Sequence, residues 1–268
     1  MDYITKNQKD ASKFTLPGVS LRQTRQLLPD DLILLVYRGS IAHDMYVPQS
    51  DPNSIDDKDI MGTFIGPDEF YLGFAHSEYK GVFIGEWDAV SYELRKLMSL
   101  LIKSNPNVLS MLWVDEKHVL FQDDFGKKLR QNRDIFSAKT IYQSFTGYAY
   151  SQLKRMTHFQ FEGYMGEKRK KLVEHFGYDT KNAAHLIRLL RMGIEFLQEG
   201  ILYVTRSDAQ ELLDIKKGAW TLEQVKTEAE RLFKEAEEEF VKSKLPDVVD
   251  EKYVEKFLVD MIKKYRGY

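Results

Sequence analysis

Two short stretches organise the rest of the sequence, Tyr37-Arg38-Gly39-Ser40 and Asp57-Lys58-Asp59-Ile60. An apolar run at residues 32–36 leads directly into the first stretch and predicts a buried strand. Glycine allows a sharp turn and a close approach of the backbone to a ligand. The Gly-Ser pair therefore predicts a turn that opens a short helix, whose free N–H groups point at an anion.

The second stretch lies in a predicted strand over residues 55–65. Side chains two apart in a strand share a face, so Asp57 and Asp59 are expected to point the same way. Two like charges so close together are costly unless a cation lies between them. Hard oxygen ligands on one strand suit Mg²⁺, which usually binds one or two carboxylates together with phosphates.

A third carboxylate is expected from the next part of the chain. Residues 70–75 and 79–90 are predicted to be further strands, and alternation places Asp88 near the end of the second one. Asp88 is our candidate for completing a two-metal site, with Glu86 on the same face as the substitute. The alternative is that Asp88 only complements the dipole of a helix that starts at about Ser91.

The order of strand, Gly-Ser turn and acidic strand resembles the nucleotidyltransferases of the DNA polymerase β superfamily. The alternative is a strand–turn–strand unit with an acidic, solvated rim. The segment between the two motifs, residues 41–56, is longer than the superfamily commonly uses. It either shapes the substrate pocket or is a plain surface insertion.

Composition narrows the class of protein. The chain has 268 residues, a net charge of −2 and no cysteine. The net charge argues against a protein that binds nucleic acid over its whole surface. The lack of cysteine excludes disulfides, zinc thiolate sites and cysteine nucleophiles. No apolar run is long enough to span a bilayer, and the N-terminal residues lack a signal-peptide core. A cytoplasmic protein is expected.

The second half of the sequence is helical in pattern. Helices are predicted over residues 91–103 and from about residue 137 onward, including 207–215, 221–241 and 250–265. Ser20 with Gln23, and Thr221 with Gln224, match the capping box. The fold class is therefore predicted to be α+β, with a mixed β-sheet domain at residues 1–125 and an all-helical domain at 126–268.

Basic residues concentrate in the helical half. Residues 151–192 hold nine lysines and arginines against four acidic residues. Lys181, His185 and Arg188 recur at helical spacing and would present one cationic face to a polyphosphate. The run that includes Lys168 and Arg169 would do the same or contact a nucleic-acid backbone. The alternative for both sets is plain surface, and for His185 a core position. The other histidines are interpreted as structural, with His43 of more interest because it lies on the Gly-Ser turn.

The resemblance extends over residues 20–265. Its further motifs are Tyr148-x-x-Ser151-Gln152-Leu153-Lys154-Arg155-Met156, Gly177-Tyr178-Asp179-Thr180-Lys181 and His185-Leu186-Ile187-Arg188-Leu189-Leu190-Arg191. Together with Asp88-Ala89-Val90-Ser91-Tyr92 and Asn105-Pro106-Asn107, they resemble the RNA repair pathway DNA polymerase β family. The resemblance implies a palm-like catalytic domain, chemistry dependent on Mg²⁺ or Mn²⁺, and a nucleoside triphosphate donor.

Under this reading each group of residues has an expected role. The metal ions are expected to bind Asp57, Asp59 and Asp88. The phosphates are expected to contact Gly39 and Ser40. The nucleotide is expected to contact the cationic residues Lys181, His185, Arg188, Lys168 and Arg169. Three hypotheses remain open for the function. They are transfer of a nucleoside monophosphate to an RNA 3′ end, transfer to a protein or small molecule, and nucleotide binding without catalysis.

Overall fold

The computed structural model describes residues 14–48, 50–51, 54, 56–75, 78–157 and 167–267, without the side chains of residues 157, 168 and 172. A mixed sheet of five strands occupies the first half of the chain, and helices dominate the second. The predicted α+β class is confirmed. The predicted division after residue 125 falls inside a helix, and the division into two domains stays a prediction.

The strands are β1 (Leu32–Tyr37), β2 (Lys58–Phe64), β3 (Tyr79–Ile84), β4 (Trp87–Glu93) and β5 (Val119–Gln122). Their order across the sheet is β3-β4-β2-β1-β5. Only β2 and β4 run parallel, and the other neighbours pair antiparallel. The apolar run before the Gly-Ser turn forms β1, an interior strand that is almost fully buried, as the sequence predicts.

The helices of the first half are α1 (Leu21–Leu27), α2 (Gly39–Ala42), α3 (Asp68–Leu72), α4 (Leu94–Ile102), α5 (Pro106–Trp113) and α6 (Asp124–Gln131). Those of the second half are α7 (Thr140–Thr157), α8 (Glu167–Phe176), α9 (Thr180–Glu199), α10 (Ala209–Lys216), α11 (Leu222–Lys242) and α12 (Glu251–Arg266). Both predicted capping boxes are present, at the starts of α1 and α11. Among the described residues, no helix combines the length and apolarity needed to cross a membrane.

Two predicted strands were wrong. Residues 70–75 were expected to be extended, but Pro67 instead precedes the single-turn helix α3. The strand expected over residues 79–90 is a hairpin, β3 and β4, that turns at Gly85 with a φ of +63°. The hairpin places Asp88 on β4 and Glu86 in the turn, so the two do not share a strand face as predicted. The helix expected from Ser91 begins at Leu94.

Two apolar clusters lie on opposite faces of the sheet. The larger contains Ile33 and Met61 from the sheet, and it continues without interruption through Trp113 to Phe196 and Met261 of the helices. The smaller packs residues of the N-terminal segment and α1 against the other face. Because one core serves both halves, the helices α7–α9 are held directly against the end of the sheet that carries the Gly-Ser turn.

Candidate active site

Two carboxylates meet where β2 and β4 run side by side. Asp59 lies opposite Asp88 in the register of these parallel strands. A single guanidinium nitrogen of Arg38 lies 2.9 Å from Oδ2 of Asp88 and 3.4 Å from Oδ1 of Asp59. The strand pairing therefore brings two of the three predicted acids together, and Arg38 supplies a positive charge between them.

Burial raises the pKa of Asp59 to about 6. That value already includes the positive charge of Arg38, which lowers the pKa, and the negative charge of Asp88, which raises it, with smaller opposite effects of Lys181 and Asp57. A carboxylate whose charge is penalised in this way gains from a cation placed beside it. The environment of Asp59 thus favours the binding of a positively charged group.

The remaining acids are arranged less tightly. Asp57 precedes β2 and is exposed, although its charge still acts on Asp59. Glu86 pairs with Lys58, whose Nζ lies 2.5 Å from Oε1. Within the described part of the chain, no three side chains of Asp, Glu or His come close enough together to hold a metal ion. The Asp59–Asp88 pair is therefore the candidate place for Mg²⁺. In proteins Mg²⁺ usually binds one or two carboxylates together with substrate phosphates.

The Gly-Ser turn touches this pair. Gly39 has a φ of +60°, a conformation that favours glycine, and a Cβ built on it would lie 2.4 Å from Oδ2 of Asp59. Only a residue without a side chain leaves room for the carboxylate. Ser40 is half-buried and is not among the residues that line the adjoining cleft.

A cleft of about 550 Å³ opens between the Gly-Ser turn and the helices. The positively charged residues that line it are Arg38, Arg155, Arg169, Lys181 and Arg188. Asp59 is the only carboxylate among the described residues of its lining. A strongly positive cleft in a chain of net charge −2 is built for an anionic ligand.

Lys181, His185 and Arg188 all line this cleft from α9, as their helical spacing predicts. Burial, followed by the charges of Arg188 and Lys181, holds the pKa of His185 well below its ordinary value. His185 is therefore neutral at physiological pH. The permanent positive charge of this face comes from Lys181 and Arg188.

Arg188 contacts a histidine in place of an acid. Its guanidinium donates to Nε2 of His43 at 2.7 Å, so Nδ1 of His43 carries the proton and donates to the carbonyl oxygen of Val204 at 2.7 Å. Burial and the charge of Arg188 hold the pKa of His43 well below its ordinary value. Burial and the charge of Arg206 lower the pKa of Arg188 to about 9, although the charge of Asp208 opposes this effect. Its positive charge thus lacks the compensation that an anionic ligand would bring.

Of the two predicted contacts on α8, the structure describes one side chain. Arg169 lines the cleft and forms an ion pair of 2.7 Å with Asp179, the N-cap residue of α9. It also donates to Asn182 at 3.0 Å. The side chain of Lys168 lies outside the described residues.

The sequence reasoning missed a buried ion pair behind the cleft. Asp56 is 2% exposed, contacts Nζ of Lys216 on α10, and accepts from the backbone N–H of Val47 at 3.0 Å. Lys181 lies 3.5 Å from its other oxygen. The pair ties the end of the segment at residues 41–56 to the helices. The only signal in the sequence was a third aspartate next to the Asp-x-Asp motif.

The family model described as "RNA repair pathway DNA polymerase beta family" matches residues 21–260. A nucleotidyltransferase-like protein from Exiguobacterium sibiricum 255-15 superposes with a TM-score of 0.28 at 10% identity, over 88% of this chain and 72% of that chain. At this TM-score the two structures are too different for residue roles to be compared. No curated protein matches the chain.

Proposed function

The chain belongs to the RNA repair pathway DNA polymerase beta family, and on that premise we propose that it is a metal-dependent nucleotidyltransferase. In this proposal a nucleoside monophosphate passes from a nucleoside triphosphate to an acceptor hydroxyl, and the acceptor is an RNA 3′ end. The acceptor hydroxyl attacks the α-phosphorus, and pyrophosphate leaves with the electrons of the broken P–O bond. No covalent intermediate on the protein is needed.

The observation that carries the proposal is the pairing of Asp59 with Asp88 around a cationic group. We assign Asp59 and Asp88 as ligands of Mg²⁺ or Mn²⁺, and Asp57 as a further acid that acts on the same site. The donor chemistry fits a hard divalent cation. A metal ion bound there would neutralise phosphate charge and make the acceptor hydroxyl more acidic.

The chain's own residues supply the binding of the triphosphate. Lys181 and Arg188 bring positive charge to the cleft, and Arg188 is the residue that gains most, because burial penalises its charge and the charge of Asp208 offsets this only in part. Ser40, His185, Lys168 and Arg169 stay predicted contacts of the nucleotide. Gly39 lets the backbone lie against Asp59, so the phosphates can approach both at once. Catalysis then rests on positioning and on charge neutralisation.

An RNA acceptor is supported by the basic surface beside the cleft. Helix α8 carries Lys170 and the exposed Lys171 next to the cleft-lining Arg169. Contacts of this kind bind a phosphate backbone without reading its sequence. A protein or small-molecule acceptor would not depend on them.

The test is a transfer assay with each α-labelled nucleoside triphosphate, Mg²⁺ and total RNA. We expect label in RNA that ribonuclease removes, release of pyrophosphate, and loss of both in Asp59→Asn and Asp88→Asn. Label in protein or in a small molecule would overturn the RNA acceptor. Undiminished transfer by both variants would overturn the assigned site.

A charge-reversal pair tests the acceptor surface directly. Lys170→Glu with Lys171→Glu should weaken RNA binding at least tenfold at low salt and reduce its salt dependence. The matched control is Lys226→Glu with Lys234→Glu, which makes the same charge change on the exposed face of α11. Equal loss in both double variants would show that only net charge matters.

A further inference from the structure

One motif singled out in the sequence has no part in the chemistry above. Helix α7 carries Tyr148, Ser151, Gln152 and Arg155 at i, i+3, i+4 and i+7, and all four line the cleft. Residues at this spacing share one helix face. The cleft therefore has a polar wall on α7 in addition to the cationic wall that Lys181 and Arg188 form on α9.

Gln152 is the unusual member of the polar wall. The residue is only 8% exposed, and its amide has no hydrogen-bond partner among the described residues. Polar groups of nearly buried residues are usually hydrogen-bonded, so an amide without a protein partner that lines the cleft is available to a ligand. The amide offers a donor and an acceptor side by side, and the cleft is the space into which both open.

Tyr148 gives the same wall a flat aromatic surface. Its hydroxyl accepts a hydrogen bond of 3.0 Å from the side-chain amide of Asn105, which limits the movement of the ring. The ring itself remains 36% exposed. An exposed, positioned aromatic ring one helical turn from an unpaired amide is the arrangement that binds a planar heteroaromatic group by stacking and edge recognition.

We propose that Gln152 and Tyr148 form the nucleobase site of the cleft, with Gln152 as the residue that determines base specificity. This inference rests on the proposed function, because it takes the ligand of the cationic wall to be a nucleoside triphosphate. Tyr148 stacks on the base, and the amide of Gln152 pairs with its edge. The expected base is adenine, because its N7 accepts from the amide and its N6 amine donates to the amide oxygen in one bidentate pair, and cytosine has no N7 edge.

The experiment measures equilibrium binding without any acceptor. Non-hydrolysable analogues of ATP, GTP, CTP and UTP, and inorganic tripolyphosphate, are titrated into the full chain with Mg²⁺ present. We expect the ATP analogue to bind about tenfold more tightly than the others. In Gln152→Met, which keeps the side-chain length, this preference should fall to less than twofold while tripolyphosphate affinity is unchanged. Tyr148→Leu should weaken all four analogues and leave tripolyphosphate binding intact.

The control variant is Gln143→Met, an exposed glutamine on the same helix that does not line the cleft. It should keep the preference of the parent chain. Thermal unfolding of each variant shows whether the fold is intact, and Gln152→Glu gives a second substitution if Gln152→Met unfolds. Gln152→Glu keeps the acceptor and removes the amide donor, so it should also reduce the preference.

The outcomes separate the inference from the proposed function. Equal binding of all four analogues, or an unchanged preference in Gln152→Met, overturns the nucleobase site whether or not transfer occurs. A preference that is lost in Gln152→Met supports it even if no transfer to RNA is found. RNA oligonucleotides ending in each base are titrated in parallel without nucleotide. A Gln152 effect confined to them would overturn the assignment to the donor nucleotide and place the terminal base of the acceptor there.

Discussion

Asp59 and Asp88 lie directly opposite each other on parallel neighbouring strands, and one nitrogen of Arg38 contacts both carboxylates. The arrangement concentrates negative charge at a place where burial already penalises it. The pKa of Asp59, raised to about 6 by burial and then by Asp88, records that penalty. Keeping the two carboxylates together therefore lowers the free energy of unfolding. Destabilising arrangements of this kind are common at functional sites.

Asp59→Asn should abolish transfer and stabilise the protein. A folded-state pKa above the unfolded value means that the folded state binds the proton more tightly. The ionised carboxylate therefore destabilises the fold above pH 6, and this effect fades as the pH falls from 6 towards 4. Removing the charge should raise the free energy of unfolding by about 1–3 kcal/mol at pH 7.5 and by little at pH 4. Urea denaturation with a chelator present, at both pH values, measures the difference.

The control for this prediction is Asp124→Asn, which changes the same functional group at an exposed position on α6. Its effect should stay within about 0.5 kcal/mol at either pH. If Asp59→Asn raises the free energy of unfolding equally at both pH values, the stabilisation does not come from removing the ionised carboxylate.

The activity should depend on pH through the same carboxylate. The protonated form of Asp59 cannot hold a cation, so kcat/KM for the nucleoside triphosphate should fall about tenfold per pH unit below about pH 6. A divalent cation favours the ionised form, so raising the Mg²⁺ concentration should move the midpoint to lower pH. Steady-state kinetics from pH 5 to 8 at two Mg²⁺ concentrations and constant ionic strength measure both effects. If the pH midpoint of the kcat/KM profile does not change with Mg²⁺ concentration, Asp59 does not bind the metal ion.

Gly39→Ala should damage the site through a clash as well as through backbone strain. The new Cβ would meet the carboxylate of Asp59, and the positive φ is unfavourable for alanine. Gly85 has nearly the same φ, +63°, but its added Cβ would meet nothing within 4 Å. Gly85→Ala therefore measures the strain alone, about 1 kcal/mol, and Gly39→Ala should cost about 2–3 kcal/mol and most of the activity. If Gly39→Ala and Gly85→Ala lose the same stability, the Asp59 side chain moves away from the new Cβ without an energetic cost.

The sequence predicted the fold best where the signals were local. The apolar run of β1, the capping boxes of α1 and α11 and the helical spacing of α9 each depend on neighbouring residues, and the structure contains all of them. The strand expected at residues 70–75 was wrong, because Pro67-Asp68-Glu69 begins a helix there. The hairpin was missed because its Gly85-Glu86 turn was taken as part of one long strand.

The site was predictable in its charges but not in its partners. The cationic face of α9 follows from helix periodicity, whereas the pairing of Asp59 with Asp88 depends on the register of two parallel strands, which periodicity does not give. The contacts of His43 with Arg188, and of Asp56 with Lys216, join residues far apart in the chain. No local pattern encodes such pairs, because they depend on how the helices pack against the sheet. His43 was interpreted as structural, and its contact with the cleft-lining Arg188 was invisible from the sequence.

The buried pair of Asp56 and Lys216 should be strongly coupled. Burial lowers the pKa of Lys216, and the charge of Asp56 opposes that effect, so each residue depends on the other for compensation. Asp56→Asn should cost about 3–5 kcal/mol, because it leaves the buried charge of Lys216 without its partner, and Lys216→Met should cost less, because Lys181 stays 3.5 Å from Asp56. The double variant should cost clearly less than the sum, with a coupling energy of about 2 kcal/mol. The exposed pair of Glu239 and Lys242, 2.9 Å apart on α11, serves as the control and should show coupling below about 0.5 kcal/mol. If the losses in free energy of unfolding at Asp56 and Lys216 are additive in a double-mutant cycle, the pair does not connect the segment before β2 to the helices.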